Sequence, residues 1–95
     1  MTKELFNKIE KGTLVVIECK KGYYEGKKHV VIFNTFDRNL MREDTYYYCG
    51  CVYPRTWLRL AKQDDLDEEI ALAKDYYEKR VNALNKAFEL TKGVK

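Results

Sequence analysis

Tyr46–Leu60 reads YYYCGCVYPRTWLRL: four tyrosines, a tryptophan, two arginines and two cysteines in fifteen residues. How this stretch folds decides which of these side chains enter a core and which form a surface. Read as a strand from Thr45 to Tyr53, it alternates faces. Tyr47, Cys49, Cys51 and Tyr53 share one side, and Tyr46, Tyr48 and Val52 the other. Cysteines in small chains are among the most buried residues. If they point inward, Tyr46 and Tyr48 point out. Pro54 has no N–H to give a central ladder, so it is expected to turn the chain. A short strand follows, with Leu58 and Leu60 inward and Arg55, Trp57 and Arg59 outward.

Upstream, Thr2 is placed to cap a short helix carrying Leu5, Phe6 and Ile9, with Gly12 as its stop. Two β-branched runs, TLVVIECK and KKHVVIFNTF, read as strands. The glycines of KGYYEGK between them suit a hairpin loop. FDRNLMRED is turn-like. From residue 12 to residue 61 the order has the rhythm of a small SH3-like barrel, a resemblance of pattern with no family motif behind it. An open sheet with helices on one face is the alternative.

From Asp64 the period is helical. Leu66, Ile70, Ala73, Tyr77, Val81, Leu84 and Phe88 form a stripe that repeats after eleven residues, which predicts a nearly straight helix. Asp64, Asp65, Asp67, Glu68 and Glu69 crowd its first turns, where the helix dipole favours negative charge. They read as a helix start with Asp65 and Glu68 as a capping pair, not as a metal or substrate site. No proline or glycine interrupts residues 65–91. Unbroken, that helix would be about 40 Å long, against a globule about 32 Å across. It should overhang. Tyr77, Val81, Leu84 and Phe88, with a second stripe of Leu72, Tyr76, Ala83 and Leu90, then call for a partner helix, most simply in a two-fold homodimer. The competing reading lets the N-terminal helix cover the second stripe.

The expected fold class is therefore α+β: a short N-terminal helix, a small strongly curved antiparallel sheet, and a long C-terminal helix. A chain of 95 residues makes one domain, 1–95, divided into a helix and sheet part (1–62) and the C-terminal helix (63–95).

Charge is uneven. Residues 1–62 hold twelve Lys and Arg against seven Asp and Glu, whereas residues 63–95 hold six against eight. The basic part invites an anionic partner. The outward row of Tyr46, Tyr48, Arg55, Trp57 and Arg59 would stack on a base and fork onto its phosphate. The loop Lys20–Lys28 repeats the theme, with Lys20, Lys21, Lys27 and Lys28 around Tyr23 and Tyr24. This combination predicts a binding module for nucleic acid or a nucleotide. The alternatives are a small regulator or inhibitor that binds a protein through the same aromatics, and a helix that covers this face and makes the aromatics core.

Catalysis is not expected. The chain has no serine and a single histidine, His29. It has neither a phosphate-binding G-x4-G-K-[ST] loop nor G-x-G-x-x-G. Cys19, His29, Cys49 and Cys51 are ligand types for zinc, but C-x-C within a strand is not the spacing of a structural site, so no metal and no cofactor are expected. With an odd count of three cysteines, no disulfide is expected. The charged N-terminus does not read as a signal peptide, and no apolar run reaches the ~20 residues of a membrane span. The sequence reads as cytoplasmic. Its Lys- and Tyr-rich composition is shared by phage proteins, for which this would be the host cytoplasm.

Overall fold

A computed structural model describes residues 1–22, 25–34, 45–48, 51–74 and 78–94, with Tyr47 in its backbone alone. Helix α1 spans Lys3–Lys8, and the Thr2 hydroxyl caps it by accepting from the Leu5 N–H at 3.2 Å. Phe6 and Ile9 are buried. The chain reverses at Gly12, whose φ of 98° no side-chain-bearing residue adopts easily. A Cβ there would also stand 3.1 Å from Leu90 Cδ1.

Strands β1 (Leu14–Glu18), β2 (Lys28–Ile32) and β5 (Leu58–Leu60) form an antiparallel sheet in the order β2-β1-β5. Val15 lies opposite Val31 on one side and Leu60 on the other. Leu14, Val15, Val16 and Ile17 are all fully buried because both faces of the sheet are covered. That is why β1 reads as an unbroken apolar run and not as an alternation. Val15, Ile17, Val31, Phe33 and Leu58 point into one core with Phe6, Ile9 and Tyr46. Leu14, Val16 and Val30 point into a second core with Ala61, Leu66, Leu84, Ala87 and Phe88.

Where β5 stops short of Leu14, Thr91 completes the ladder. Its hydroxyl accepts from the Leu14 N–H at 2.9 Å and lies 2.9 Å from the Leu14 carbonyl. The carbonyl also accepts from the Ala61 N–H at 3.1 Å, so it is the buried Leu14 N–H that Thr91 satisfies.

The stretch read as one strand is two. Strands β3 (Thr45–Tyr48) and β4 (Cys51–Pro54) pair antiparallel, with Tyr46 opposite Tyr53 and Tyr48 opposite Cys51. Residues paired across a hairpin share a side, so Tyr46 and Tyr48 lie on the same side as Cys51 and Tyr53 and not opposite them, and the expected separation of tyrosines from Cys51 is lost. Tyr46, expected outward, is 1% exposed, while Cys51, expected inward, is exposed. A 3-10 turn, Arg55–Trp57, follows β4. Pro54 therefore does not return the chain alongside β4, and β5 pairs with β1 instead. No ladder joins the two sheets among the described residues, so the fold is α+β without a closed barrel.

The predicted long helix is also divided, into α2 (Gln63–Ala73) and α3 (Glu78–Lys92). Leu66 of α2 and Leu84, Ala87 and Phe88 of α3 share one core. In an unbroken helix Leu66 and Leu84 would lie about 27 Å apart. Folding back lays Leu66 and Leu84, from the two ends of the first stripe, on one sheet face, and tertiary burial outweighs the continuous helix that local propensity favours. Leu84 and Phe88, assigned to a dimer interface, are 0% and 7% exposed within the single chain. Val81 is half-buried, and Tyr77 lies outside the described residues. The longest dimension of the molecule is 36 Å, which leaves no 40 Å helix to overhang. Helix α1 does not cover the second stripe. It leaves an open groove of about 360 Å³ lined in part by Leu5, Ile9, Leu90 and Val94. Among the described residues no helix is long and apolar enough to cross a membrane.

Candidate binding surface

The faces of the sheet dispose of the predicted site residues differently. Beyond the Phe6–Phe33–Tyr46 centre of the first core, the rings of His29, Tyr48, Tyr53 and Trp57 form a half-buried row. His29 alternates with Val31 and Phe33 along its strand and so shares their side of the sheet. Tyr48 and Tyr53 arrive from the hairpin, and Trp57 from the 3-10 turn. His29 lies 6.3 Å from Tyr48 and 6.2 Å from Tyr53, and Tyr53 lies 6.3 Å from Trp57. The interplanar angles are 45–52°, so these rings do not stack flat on one another. The contrast is Phe33–Tyr46 in the core, stacked at 5.0 Å and 18°. There the faces are consumed, and the Tyr46 hydroxyl accepts from the Asn34 N–H at 3.1 Å.

Two cations lie near Met1. Arg55 donates through Nη1 to the Met1 carbonyl at 2.7 Å, and Met1 packs on the same core as Trp57. The Met1 amino group is held below its usual pKa, first by partial burial and then by the nearby charges of Arg55 and Lys20. Lys20 is exposed.

Arg59 is not part of the row. Opposite Val16 on β5, it faces the helices. Its Nη1 and Nη2 fork onto Asp65 at 2.7 and 3.0 Å, and its Nε pairs with Glu18. Asp65, only 4% exposed, also accepts from Lys28 Nζ at 2.8 Å and from the Lys62 N–H at 2.8 Å. Lys28 reaches Glu68 at 2.8 Å as well. Asp65 thus sits third in α2 and bonds back to the residue before the helix, a capping role its acidic neighbours predicted one turn too late. The Arg59 guanidinium, more than any other partner, holds the Asp65 carboxyl far below the usual carboxylate range. In turn the Asp65 carboxylate raises both Arg59 and Lys28, and Arg59 lowers Glu18. The alternative in which the outward arginine meets a helix holds for Arg59.

In the β1–β2 connection, Gly22 and Gly26 take positive φ, and Lys20, Lys21 and Lys27 are exposed. Lys28 is committed to the Asp65 network. Tyr23 and Tyr24 lie outside the described residues. Cys19 is buried and Cys51 exposed, and Cys49 lies outside the described residues. Among the described residues, no group of three His, Cys, Asp or Glu side chains is arranged to hold a metal ion.

Of the predicted surface, the structure brings together Tyr48 and Trp57, with Arg55 on the turn that carries Trp57. It removes Tyr46, Arg59 and Lys28 and adds His29 and Tyr53. Alternation along β2 could have placed His29, but its meeting with Tyr48 and Tyr53 depends on a pairing between separate sheets. The chain matches no protein-family model, no curated protein and no solved structure, so the surface is read from its own geometry.

Proposed function

We propose that the protein is a non-enzymatic binding module that holds nucleic acid or a nucleotide on the His29–Tyr48–Tyr53–Trp57 row. The observation that carries this reading is four tilted, half-buried rings side by side, with Arg55 on the same 3-10 turn as Trp57. Ring faces hold bases by stacking and cations hold phosphate, a combination that tolerates many sequences. A row of this kind is a binding surface without the nucleophile–base pair that covalent catalysis needs.

The test is a titration of labelled nucleic acid followed by anisotropy at rising salt. Binding that weakens steeply as salt displaces it from phosphate supports the reading. A protein partner is the second reading. It is favoured by Val52, 57% exposed on the same hairpin. Capture of a protein from nuclease-treated lysate, insensitive to salt and lost in Trp57→Leu, would replace the first reading with the second.

A further inference from the structure

We infer that the groove between α1 and the end of α3 binds a small aliphatic ammonium, its hydrocarbon body against the walls and its charged head at the Glu10–Thr13 turn. The site does not use the aromatic row. Its volume is about 360 Å³, within the range of small-molecule pockets. The apolar part of its lining, Leu5, Ile9, Leu90 and Val94, is aliphatic. The decisive residue is Thr13, which borders the groove and is 1% exposed. Its N–H donates to the Glu10 carbonyl at 3.2 Å, and its carbonyl accepts from the Phe33 N–H at 2.8 Å. Its hydroxyl has no hydrogen-bond partner among the described residues. Among those residues no fully buried side-chain oxygen or nitrogen lacks a partner. The small area that Thr13 keeps is therefore its hydroxyl, and the groove is the opening it borders. A hydroxyl left like this costs stability that a valine of the same shape would not. Its use is to bond something that enters the groove.

Charge chooses the head group. Glu10 and Thr13 are the two ends of the tight turn through Lys11 and Gly12, which starts the Glu10 side chain close to the hydroxyl. Glu10 is exposed and forms no ion pair among the described residues. The other side of the groove is the C-terminal end of α3, the negative pole of that helix. There the Gly93 and Val94 N–H groups donate to the Leu90 and Thr91 carbonyls at 3.2 Å, only three residues back. The Glu89 carbonyl, which Gly93 would reach in a continued helix, is left without a donor. Carboxylate, carbonyl and hydroxyl all accept, and an ammonium offers three donors and no acceptor. The Glu89 carboxylate is shared with Lys92 at 3.3 Å, and Lys8 is the one cation among the lining residues. Glu10 and Glu89 against Lys8 leave the lining net negative, so an anionic head is disfavoured.

The full chain, isotope-labelled for amide NMR spectra, is titrated with hexylammonium, hexanol and hexanoate, which share one tail, and with ethylammonium, which lacks most of it. Hexylammonium is expected to move the amide signals of residues 8–13 and 89–94 along one saturable curve. It should bind about fivefold tighter than hexanol, with hexanoate weakest. Ethylammonium should not saturate, because it leaves the aliphatic walls uncovered. Thr13→Val should weaken hexylammonium about threefold while the melting temperature holds or rises. Glu10→Gln should weaken it about threefold and Lys8→Gln tighten it about twofold. Hexanol or hexanoate bound as tightly as hexylammonium overturns the assignment of the head group. Ethylammonium bound as tightly overturns the role of the walls. Signals that do not move, or that move mainly elsewhere, overturn the site. A Thr13→Val protein that melts lower shows that the hydroxyl is used within the fold, and overturns it too. The four-ligand comparison uses unmodified protein, so it decides even if a variant unfolds. Failure here leaves the aromatic-row reading standing, since that is tested with nucleic acid.

Discussion

The central sheet has two faces built from alternate residues of the same three strands, and they treat polar chemistry in opposite ways. On the helical face, Glu18, Lys28, Arg59, Asp65 and Glu68 pair with one another at the seam where β1, β2 and β5 meet the start of α2. On the other face the polar handles belong to aromatic residues. Those near the centre, Phe6, Phe33 and Tyr46, pack on each other, and those at the rim are half-buried and tilted to one another. Charge density is therefore a poor guide to the proposed binding side. The basic residues closest to an acidic helix start are spent on holding that helix to the sheet.

The comparison is broken most sharply by exchanging depth for rim. Tyr46→Ala should cost about 3–5 kcal/mol, because it empties a fully buried site between Phe6 and Phe33. Trp57→Leu keeps apolar volume at a half-buried site and should cost under about 1.5 kcal/mol. Urea unfolding of both variants measures the difference. Equal losses would mean that the rim is core and that no aromatic surface exists.

The helical face is tested through Asp65. Asp65→Asn removes the charge that Arg59, Lys28 and the Lys62 N–H all address. It leaves Arg59 facing only Glu18. Breaking a buried pair is expensive, and the partial exposure of Arg59 and Lys28 reduces the loss to about 2–3 kcal/mol. The pH dependence has a definite sign. The folded-state pKa of Asp65 lies below its ordinary 3.8, so below that value the unfolded chain binds a proton that the folded chain refuses. Stability from this carboxylate is complete above about pH 5 and drains as pH falls toward the folded pKa. Glu18, lowered mainly by Arg59, acts in the same direction from its ordinary 4.5. Thermal melts between pH 5 and pH 2.5 should fall steeply in the parent and more gently in Asp65→Asn. Parallel curves would show that the network contributes no folding stability.

These two experiments also mark what could be read from the chain and what could not. The Thr2 cap, the paired β-branched runs and the inward Leu58 and Leu60 follow from local chemistry, and the structure has all of them. The hairpin inside YYYCGCVYP was missed because both of its arms are strand-like, and Gly50, a frequent second residue of a two-residue loop, was read as one more strand position. That single omission inverted Tyr46. The division of the C-terminal helix left no mark in proline or glycine. It arises because Leu66 and Leu84 both gain more on the sheet than along a solvent-facing rod. At the surface, aromatic content could be seen in the sequence. The withdrawal of Arg59 and Lys28 could not, since it depends on Asp65 approaching from another element.

The smallest expected effects separate the faces most cleanly, because they concern two lysines eight residues apart. Lys28 bridges Asp65 and Glu68, and its pKa is raised above the ordinary lysine value mainly by the Asp65 carboxylate. Its side chain is 35% exposed, so water screens much of this attraction. Lys28→Met should therefore lower stability by about 0.5–1 kcal/mol, with the loss shrinking as salt rises. It should leave nucleic-acid affinity unchanged, since the ammonium already faces two carboxylates. Lys20 lies 3.8 Å from Glu18, with both side chains more than a third exposed, and its charge bears on the Met1 amino group. Lys20→Met should leave the unfolding midpoint within error and weaken nucleic-acid binding two- to threefold. The logarithmic salt slope should also flatten by about one contact. Unfolding and anisotropy on the same two proteins yield four numbers, and the proposal requires one change in each column. If Lys28→Met weakens binding and Lys20→Met does not, the binding face has been assigned to the wrong side of the sheet.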